Sequence, residues 1–435
     1  MSVSNVGQTK LETFNSRSDS FLSMISQFSD NAVNPTAPFE DVQYSELRYT
    51  HQLSYDEEPS PVLNKKHNLT IDRFSGYVGN FCVEMELPYQ DAGNATIDYA
   101  PLPALAAIEY VEVWYGSHKI HELSRKEIYS RIMYNNEQHY RNDYIENDLG
   151  GSAPNGSSVV NYTSDTKVRF WLPIEGVNTE RGRHSSYITP LPIGRLNGKI
   201  TFKIKLDTAS NYASGNTDGV PNYIRLYYQQ LPIMNSSASS NVVDTGGNSS
   251  DFNYPTAKSI SSQSENRSIG NTNFDKIDIS DLTRQGELIT LLVHIVTNTD
   301  DNNSLFFNHE PISELQLRLD NRIVAQYNSL SEYIISYRNN YKMKPWTRGS
   351  VQISNPNNVG NEPNPIIAVS ISPRDIFYKD YIGHGVNPYL KSMSLWLKTS
   401  SSITADVDVI AIYRSNLHID SNGQADMFYS PNASF

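Results

Sequence analysis

The chain has 435 residues, enough for roughly two or three domains of ordinary size, each with its own core. Hydrophobic residues make up 38% and charged residues 19%, a balance that excludes both a disordered chain and a membrane-embedded one. The formal net charge of −12 argues against direct wrapping of nucleic acid, which needs a basic face.

The first residues, from Met1 to Gly7, carry no basic stretch followed by an apolar core, so no signal peptide is expected. Residues 1–38 read as an arm. Within it Phe21, Leu22, Ile25 and Phe28 recur at helical spacing, Ser18 or Asp19 offers an N-cap, and Pro35 and Pro38 close the segment. One short amphipathic helix is expected there.

From about residue 40 the period changes to two. Phe81, Val83, Met85 and Leu87 alternate with Cys82, Glu84 and Glu86. Val168, Phe170 and Leu172 alternate with Arg169 and Trp171, and Ile200, Phe202, Ile204 and Leu206 with Thr201, Lys203 and Lys205. Ile224, Leu226 and Tyr228 repeat the scheme. Each pattern predicts a strand with one face on a core. The 28 tyrosines favour strands too, while the Asn, Ser, Gly and Pro between the runs favour turns. Asn197-Gly198, just before the Ile200 strand, predicts a hairpin turn.

Residues 235–272 break this rhythm with Ser, Asn and Gly and read as a polar linker or long loop. Strand patterning resumes at Leu288 to Val296, a run interrupted by Thr290 and His294 and far too short to span a bilayer. It continues at Ile366 to Ile371, Met393 to Leu397 and Val407 to Tyr413. Two β-rich units are therefore expected, over 39–234 and 273–435. The lone cysteine, Cys82, forbids an intramolecular disulfide, and folding in a reducing cytosol is the simplest reading.

The units contain an internal repeat. Ile108 to Ile120 lies on Ile312 to Val324 without a gap, at an offset of 204 (312 minus 108). Ile108, Val111, Val113 and Tyr115 fall on Ile312, Leu315, Leu317 and Leu319. A two-residue polar turn follows in each, Gly116-Ser117 and Asp320-Asn321. A helix start comes next, with Ser124 aligned to Asn328, both good N-caps. Ser124 and Glu127 have capping-box spacing, as do Ser329 and Glu332 one place out of register. Tyr129 aligns with Tyr333. Strand, turn and helix start agree at one offset although few residues are identical.

Catalytic constellations fail on inspection. His121 and Glu122 begin like a zinc-protease helix motif, but Arg125 occupies the second histidine's place, and His118 precedes the helix start. Gly194 to Lys199 is one residue short of a phosphate-binding loop and leads into a strand. The Asp300 to Ser304 cluster lacks the glycine of a calcium loop. Glu84 with Glu86, and Glu109 with Glu112, read as polar strand faces. Trp114, Tyr115, Tyr227 and Tyr228 read as core or subunit-contact residues before they read as sugar platforms. No catalytic residue, cofactor or metal is expected.

Two β-rich units with an inserted helix fit an all-β fold of two consecutive eight-stranded jelly rolls, with short inserted helices and an N-terminal arm helix. The stretches Leu69 to Phe74 and Phe81 to Pro88, the run Ile108 to Ile120 with its helix to Tyr134, and Phe170 to Pro173 followed by Ile188 to Pro192 carry a family resemblance. In that order they resemble the double jelly-roll major capsid proteins of the nucleocytoplasmic large DNA viruses and the PRD1–adenovirus lineage. The end of the chain, from Ser415, matches only vaguely. The resemblance implies a virion shell subunit, folded in the host cytosol, that forms pseudo-hexagonal homotrimers and then a capsomer lattice. It implies minor capsid and penton proteins as partners. It also implies an arm whose Phe21, Leu22, Ile25 and Phe28 touch internal membrane lipid or an adjoining capsomer. Two other readings stay open: a poxvirus-type membrane scaffold of the same fold, and a carbohydrate-binding β-sandwich or spike.

Overall fold

A computed structural model of the chain describes residues 52–74, 76–135, 147–151, 159–174, 191, 193–214, 219–232, 252–297, 312–328, 367–370, 386–399, 401–420 and 422–429. The arm with Phe21, Leu22, Ile25 and Phe28 lies outside the described residues, as do Asp300 to Ser304 and the segment after Asn328.

The first unit runs β1 (Gln52–Glu58), β2 (Lys66–Ile71), β3 (Gly76–Leu87), β4 (Asp98–Tyr99), α1 (Pro103–Ala106), β5 (Ile108–Tyr115), β6 (His118–Ser124) and α2 (Arg125–Asn135). It continues with β7 (Val160–Asn161), β8 (Thr166–Trp171), β9 (Ile200–Leu206), β10 (Ala213–Ser214) and β11 (Ile224–Pro232). The second unit runs β12 (Phe252–Ile269), β13 (Asp275–Asp278), β14 (Leu288–Thr297), β15 (Ile312–Leu319) and β16 (Arg322–Tyr327). It ends with β17 (Ile367–Ser370), β18 (Met393–Thr399), β19 (Ile403–Ile419) and β20 (Ala425–Tyr429).

All strand pairs are antiparallel, and the strand orders are β1-β11-β3-β8 and β2-β9-β5-β6, then β12-β19-β14-β17 and β13-β18-β15-β16. Counting the eight long strands of each unit one to eight gives 1-8-3-6 and 2-7-4-5 in both, which is jelly-roll connectivity. Two extra features decorate this frame: β20 extends the second unit beside β19, and β10-β4-β7 forms a small sheet in the first.

Alternation places the cores as expected. In β9 the residues Ile200, Phe202, Ile204 and Leu206 are buried and the lysines between them partly exposed. Phe202 meets Phe81 of the opposite sheet with ring centroids 5.0 Å apart. Such contacts close one sheet over the other.

The internal repeat is structural. β5 and β15 bury the same residues in the same order, buried at the first, fourth, fifth, sixth and eighth positions. Each bulges against its inner neighbour, between Ile108 and Tyr110 and between Ile312 and Glu314. Each bulges again against the following strand, between Val113 and Trp114 and between Leu317 and Arg318. All four bulges obey the offset found in the sequence, and a bulge is a placed feature that fixes register. The turns match in length, with positive φ at Gly116 in one and at both Asp320 and Asn321 in the other.

Two expectations need correction. The polar stretch 235–272 is not a linker throughout: Phe252–Ile269 is an eighteen-residue strand paired along β19. Its polar side chains hid it, because the backbone ladder and a covering helix hold this strand, not an apolar face of its own. Asn197-Gly198 does not make a hairpin either. The strand before it, β8, lies in the opposite sheet, so the chain crosses between sheets and β9 pairs with β2 and β5.

Candidate functional site: the joint between the jelly rolls

The helix α2 leaves the first unit and covers the second. Ser124 caps it as expected, its Oγ accepting the Glu127 N–H at 3.2 Å. The Glu127 carboxylate interacts in return with the Ser124 backbone N–H, as a capping box requires, and also reaches across the joint. It accepts the Ser259 hydroxyl on β12, and Arg131 Nη1 donates to the same Ser259 oxygen at 3.1 Å. Lys126 Nζ lies 2.9 Å from Asp408 Oδ2 on β19. The Tyr129 ring packs 5.4 Å from the His294 ring on β14. From Glu127 to Ile132 every residue of the helix is buried.

This cover explains the run from Leu288 to Val296. Leu291, Val293 and Ile295 face the core with Val407, Val409 and Ala411, whereas Thr290, Leu292 and His294 face α2's side with Ile412, Ile410 and Asp408. All are buried, so β14 and β19 are shielded on both faces and lose the apolar–polar alternation of a half-exposed strand.

Burial governs the charges in the joint. It pushes the Glu127 carboxyl up to about 7, against the pull of Arg131 and the Ser259 hydrogen bond. It drives His121, on the adjoining strand β6, down to about 3, helped by the positive charges of Arg131 and Lys258. His294 is lowered by burial although Asp408 pulls the other way. For Asp408 burial is opposed and outweighed by His294 and Lys126, which hold its carboxyl below the usual range. The joint therefore sets the Lys126–Asp408 pair beside two imidazoles whose proton affinity burial has lowered.

The corresponding sheet of the first unit has a different outer face. Across its strands Tyr55, Tyr227, Cys82 and Trp171 form one row, and Glu57, Arg225, Glu84 and Arg169 the next. Arg225 binds Glu57, and Glu84 receives Tyr223 at 3.0 Å, with Arg169 at 3.7 Å and Arg225 at 3.9 Å. Arg225 also stacks 4.0 Å over the Tyr223 ring. Tyrosine, tryptophan and arginine are the residue types enriched at protein–protein contacts.

The remaining candidates fall into structural places. His118, His121 and Glu122 lie on β6, and Arg125, the first residue of α2, donates to the Ala106 carbonyl at 3.1 Å and to Asp207 at 2.5 Å. Gly194 to Lys199 is a short 3₁₀ turn and loop, in which Gly194 O accepts Arg73 at 2.7 Å and Asn197 N donates to Gly423 O of the second unit at 2.8 Å. Glu109 pairs with Lys205 at 2.5 Å, Glu112 with Lys66 at 2.9 Å, and Glu86 accepts Asn222 at 3.2 Å. Tyr115 and Tyr228 are core residues, while Trp114 lies outside the core under Lys203 at 3.6 Å. Cys82 is buried and its thiol is pushed up by that burial. Among the described residues no cluster of His, Cys, Asp and Glu is placed to hold a metal, and no helix is long and apolar enough to cross a membrane.

No family model and no curated protein matches the sequence. Solved structures do match the fold. PBCV-1 VP54, in a crystal structure fitted into a reconstruction of the virophage Sputnik, aligns over 90% of this chain and 99% of its own, at 12% identity and a TM-score of 0.59. The Faustovirus major capsid protein aligns over 92% and 97%, at 9% identity and a TM-score of 0.53. A chain of the Sputnik virophage aligns over 88% and 89%, at 13% identity and 0.51. Strand order, paired units and these alignments agree on one architecture: the chain has the double jelly-roll fold found in viral capsid proteins.

Proposed function

We propose that the chain is the major capsid protein of an icosahedral DNA virus, a structural subunit that assembles as homotrimers and then as a capsomer lattice. The observation that carries the reading is the joint itself. Two jelly rolls of one connectivity are locked side by side through a buried helix, giving a block of two like units in each chain. Three blocks around a threefold axis make six jelly rolls and a nearly hexagonal tile. Contacts of that kind bury about 2,000 Å² or more in total. The function is mechanical, and no residue is assigned a catalytic role. The partners are other copies of the chain first, then minor capsid and penton proteins. Phe21, Leu22, Ile25 and Phe28 are assigned to a contact with membrane lipid or a neighbouring capsomer. The acidic balance leaves nucleic acid outside the partner set.

Mass measurement in solution followed by electron microscopy of the purified protein tests this. The expected result is three chains in a three-lobed particle with a six-sided base. A monomer that binds glycans tightly in a carbohydrate screen overturns it.

A further inference from the structure

One oxygen of Asp408 has two claimants. Lys126 Nζ, on α2 of the first unit, lies 2.9 Å from Asp408 Oδ2. His294 Nδ1, on β14 of the second unit, lies 3.8 Å from the same atom, beyond hydrogen-bond reach. The row across the outer face of the sheet is Gln263, Asp408, His294, so imidazole and carboxylate are cross-strand neighbours within one unit. The His294 side chain is fully buried, and neither of its ring nitrogens has a hydrogen-bond partner among the described residues. Buried polar groups are nearly always satisfied, so an imidazole held in that state calls for a reason. Lys126 keeps 17% of its side chain in water, against 6% for Asp408 and none for His294, which makes it the member free to leave.

We infer that the joint is an acid-triggered switch in which His294, once protonated, takes Asp408 from Lys126 and so unties α2 from the second unit. A proton from solvent binds a ring nitrogen of His294, and the resulting N–H donates to Asp408 Oδ2 as the Lys126 ammonium gives that oxygen up. Two cations on one buried carboxylate would leave an uncompensated charge, whereas Lys126 can turn into water. The pair that crosses the joint is replaced by a pair inside the second unit, and both jelly rolls keep their cores. Burial holds His294 below the ordinary imidazole range, which places the exchange in acid and not at neutral pH. Its contribution to a closed joint is complete above pH 6.5 and is lost as pH falls. The groups around it act elsewhere. Tyr129 of α2 packs on the imidazole, while Glu127 and Arg131 turn to Ser259 of β12. His121 of β6 faces Arg131 and Lys258, and β17 brings only uncharged residues. Glu127 titrates in the opposite sense, so Glu127→Gln is the background for the test. The inference concerns the joint that carries the shell-subunit reading and, with that reading, gives a block that loosens in acid.

Hydrogen exchange of the full-length protein, read by mass spectrometry and corrected for intrinsic rate, tests this from about pH 7.5 to about pH 5. Peptides of α2 are expected to lose protection while those of β9 and β18 keep it. Uptake of one proton eases the opening about tenfold per pH unit, and His294→Gln is expected to remove that factor. Titration of the His294 side chain by nuclear magnetic resonance supplies a readout that packing alone would not move. In Lys126→Met, shown to be folded by circular dichroism, Asp408 has lost its other claimant, so the His294 midpoint is expected to rise by about one unit or more. An unchanged midpoint, an α2 profile in His294→Gln that matches its parent, or loss of protection in β9 and β18 together with α2 overturns the switch and leaves the shell reading standing. A wild-type chain that stays monomeric at every concentration removes the shell reading alone, because the exchange data report on single chains.

Discussion

Lys126 on α2 and Asp408 on β19 lie 2.9 Å apart, an ion pair made across the two units and largely withdrawn from water. Removing one partner strands the other. Lys126→Ala is expected to cost about 3 kcal/mol, the lower end for a broken buried pair because the lysine keeps some solvent contact. The double variant Lys126→Met with Asp408→Leu is expected to lose much less than the two single changes together. Chemical denaturation of the four proteins measures the coupling, and strictly additive losses would refute it.

Glu127 supplies a pH dependence of known sign. Its carboxyl titrates near 7 in the folded chain and near 4.5 when unfolded. Between those values the native state holds a proton that the unfolded state has released, so this group's contribution to stability falls as pH rises. Glu127→Gln is expected to leave stability near pH 4.5 little changed and to raise it by about 2 kcal/mol at pH 8. Parallel stability–pH curves for wild type and variant would show the site to be ordinary.

His121 acts in the opposite sense. Its folded value of about 3 lies below the ordinary 6.5, so its contribution is complete above pH 6.5 and is lost as pH falls toward 3. Arg131 and Lys258 face it, and Glu127 titrates in part of the same window, so the Glu127→Gln background is the place to look. There, His121→Gln is expected to keep the amides of α2 protected from hydrogen exchange at pH 5, where the His121 parent begins to open. Equal exchange in both would rule His121 out.

Ser124 starts the helix that makes the joint. Ser124→Ala removes the cap on the Glu127 N–H and is expected to cost about 1 kcal/mol, while Ser124→Asp retains it. Thermal melts of the two variants separate capping from a general effect of substitution, which would lower both alike.

Much of the architecture was legible because strands announce themselves by alternation. Phe81 to Leu87 and Ile200 to Leu206 read correctly for that reason, and the repeat from Ile108 and Ile312 located strand and turn in both units. β12 was missed because Ser259, Ser261 and Gln263 give no alternating apolar signal, and the strand's long pairing with β19 is a non-local fact. The joint was missed for a related reason. Thr290 and His294 were visible as interruptions of an apolar run, but Glu127, Arg131 and Asp408 look like surface charges until α2 is seen lying across the second unit. Ser124 was readable as a cap with Glu127 at capping-box spacing, whereas the second partner of the Glu127 side chain, the Ser259 hydroxyl, lies on a strand that the local pattern could not bring near.

The strand order carries a consequence for synthesis on the ribosome. In each unit the last long strand made, β11 or β19, is threaded between the first and the third, so β12 and β14 are not joined into one sheet until residues 403–419 emerge. Until then Leu292 lacks the neighbours Ile410 and Ile412 that flank it in the finished sheet. A growing chain carries that sticky, half-built wall for much of its translation, with α2 already made and available to shield it. The second jelly roll is thereby tied to the first in time as well as in space, and severed from it would meet water with an oily back.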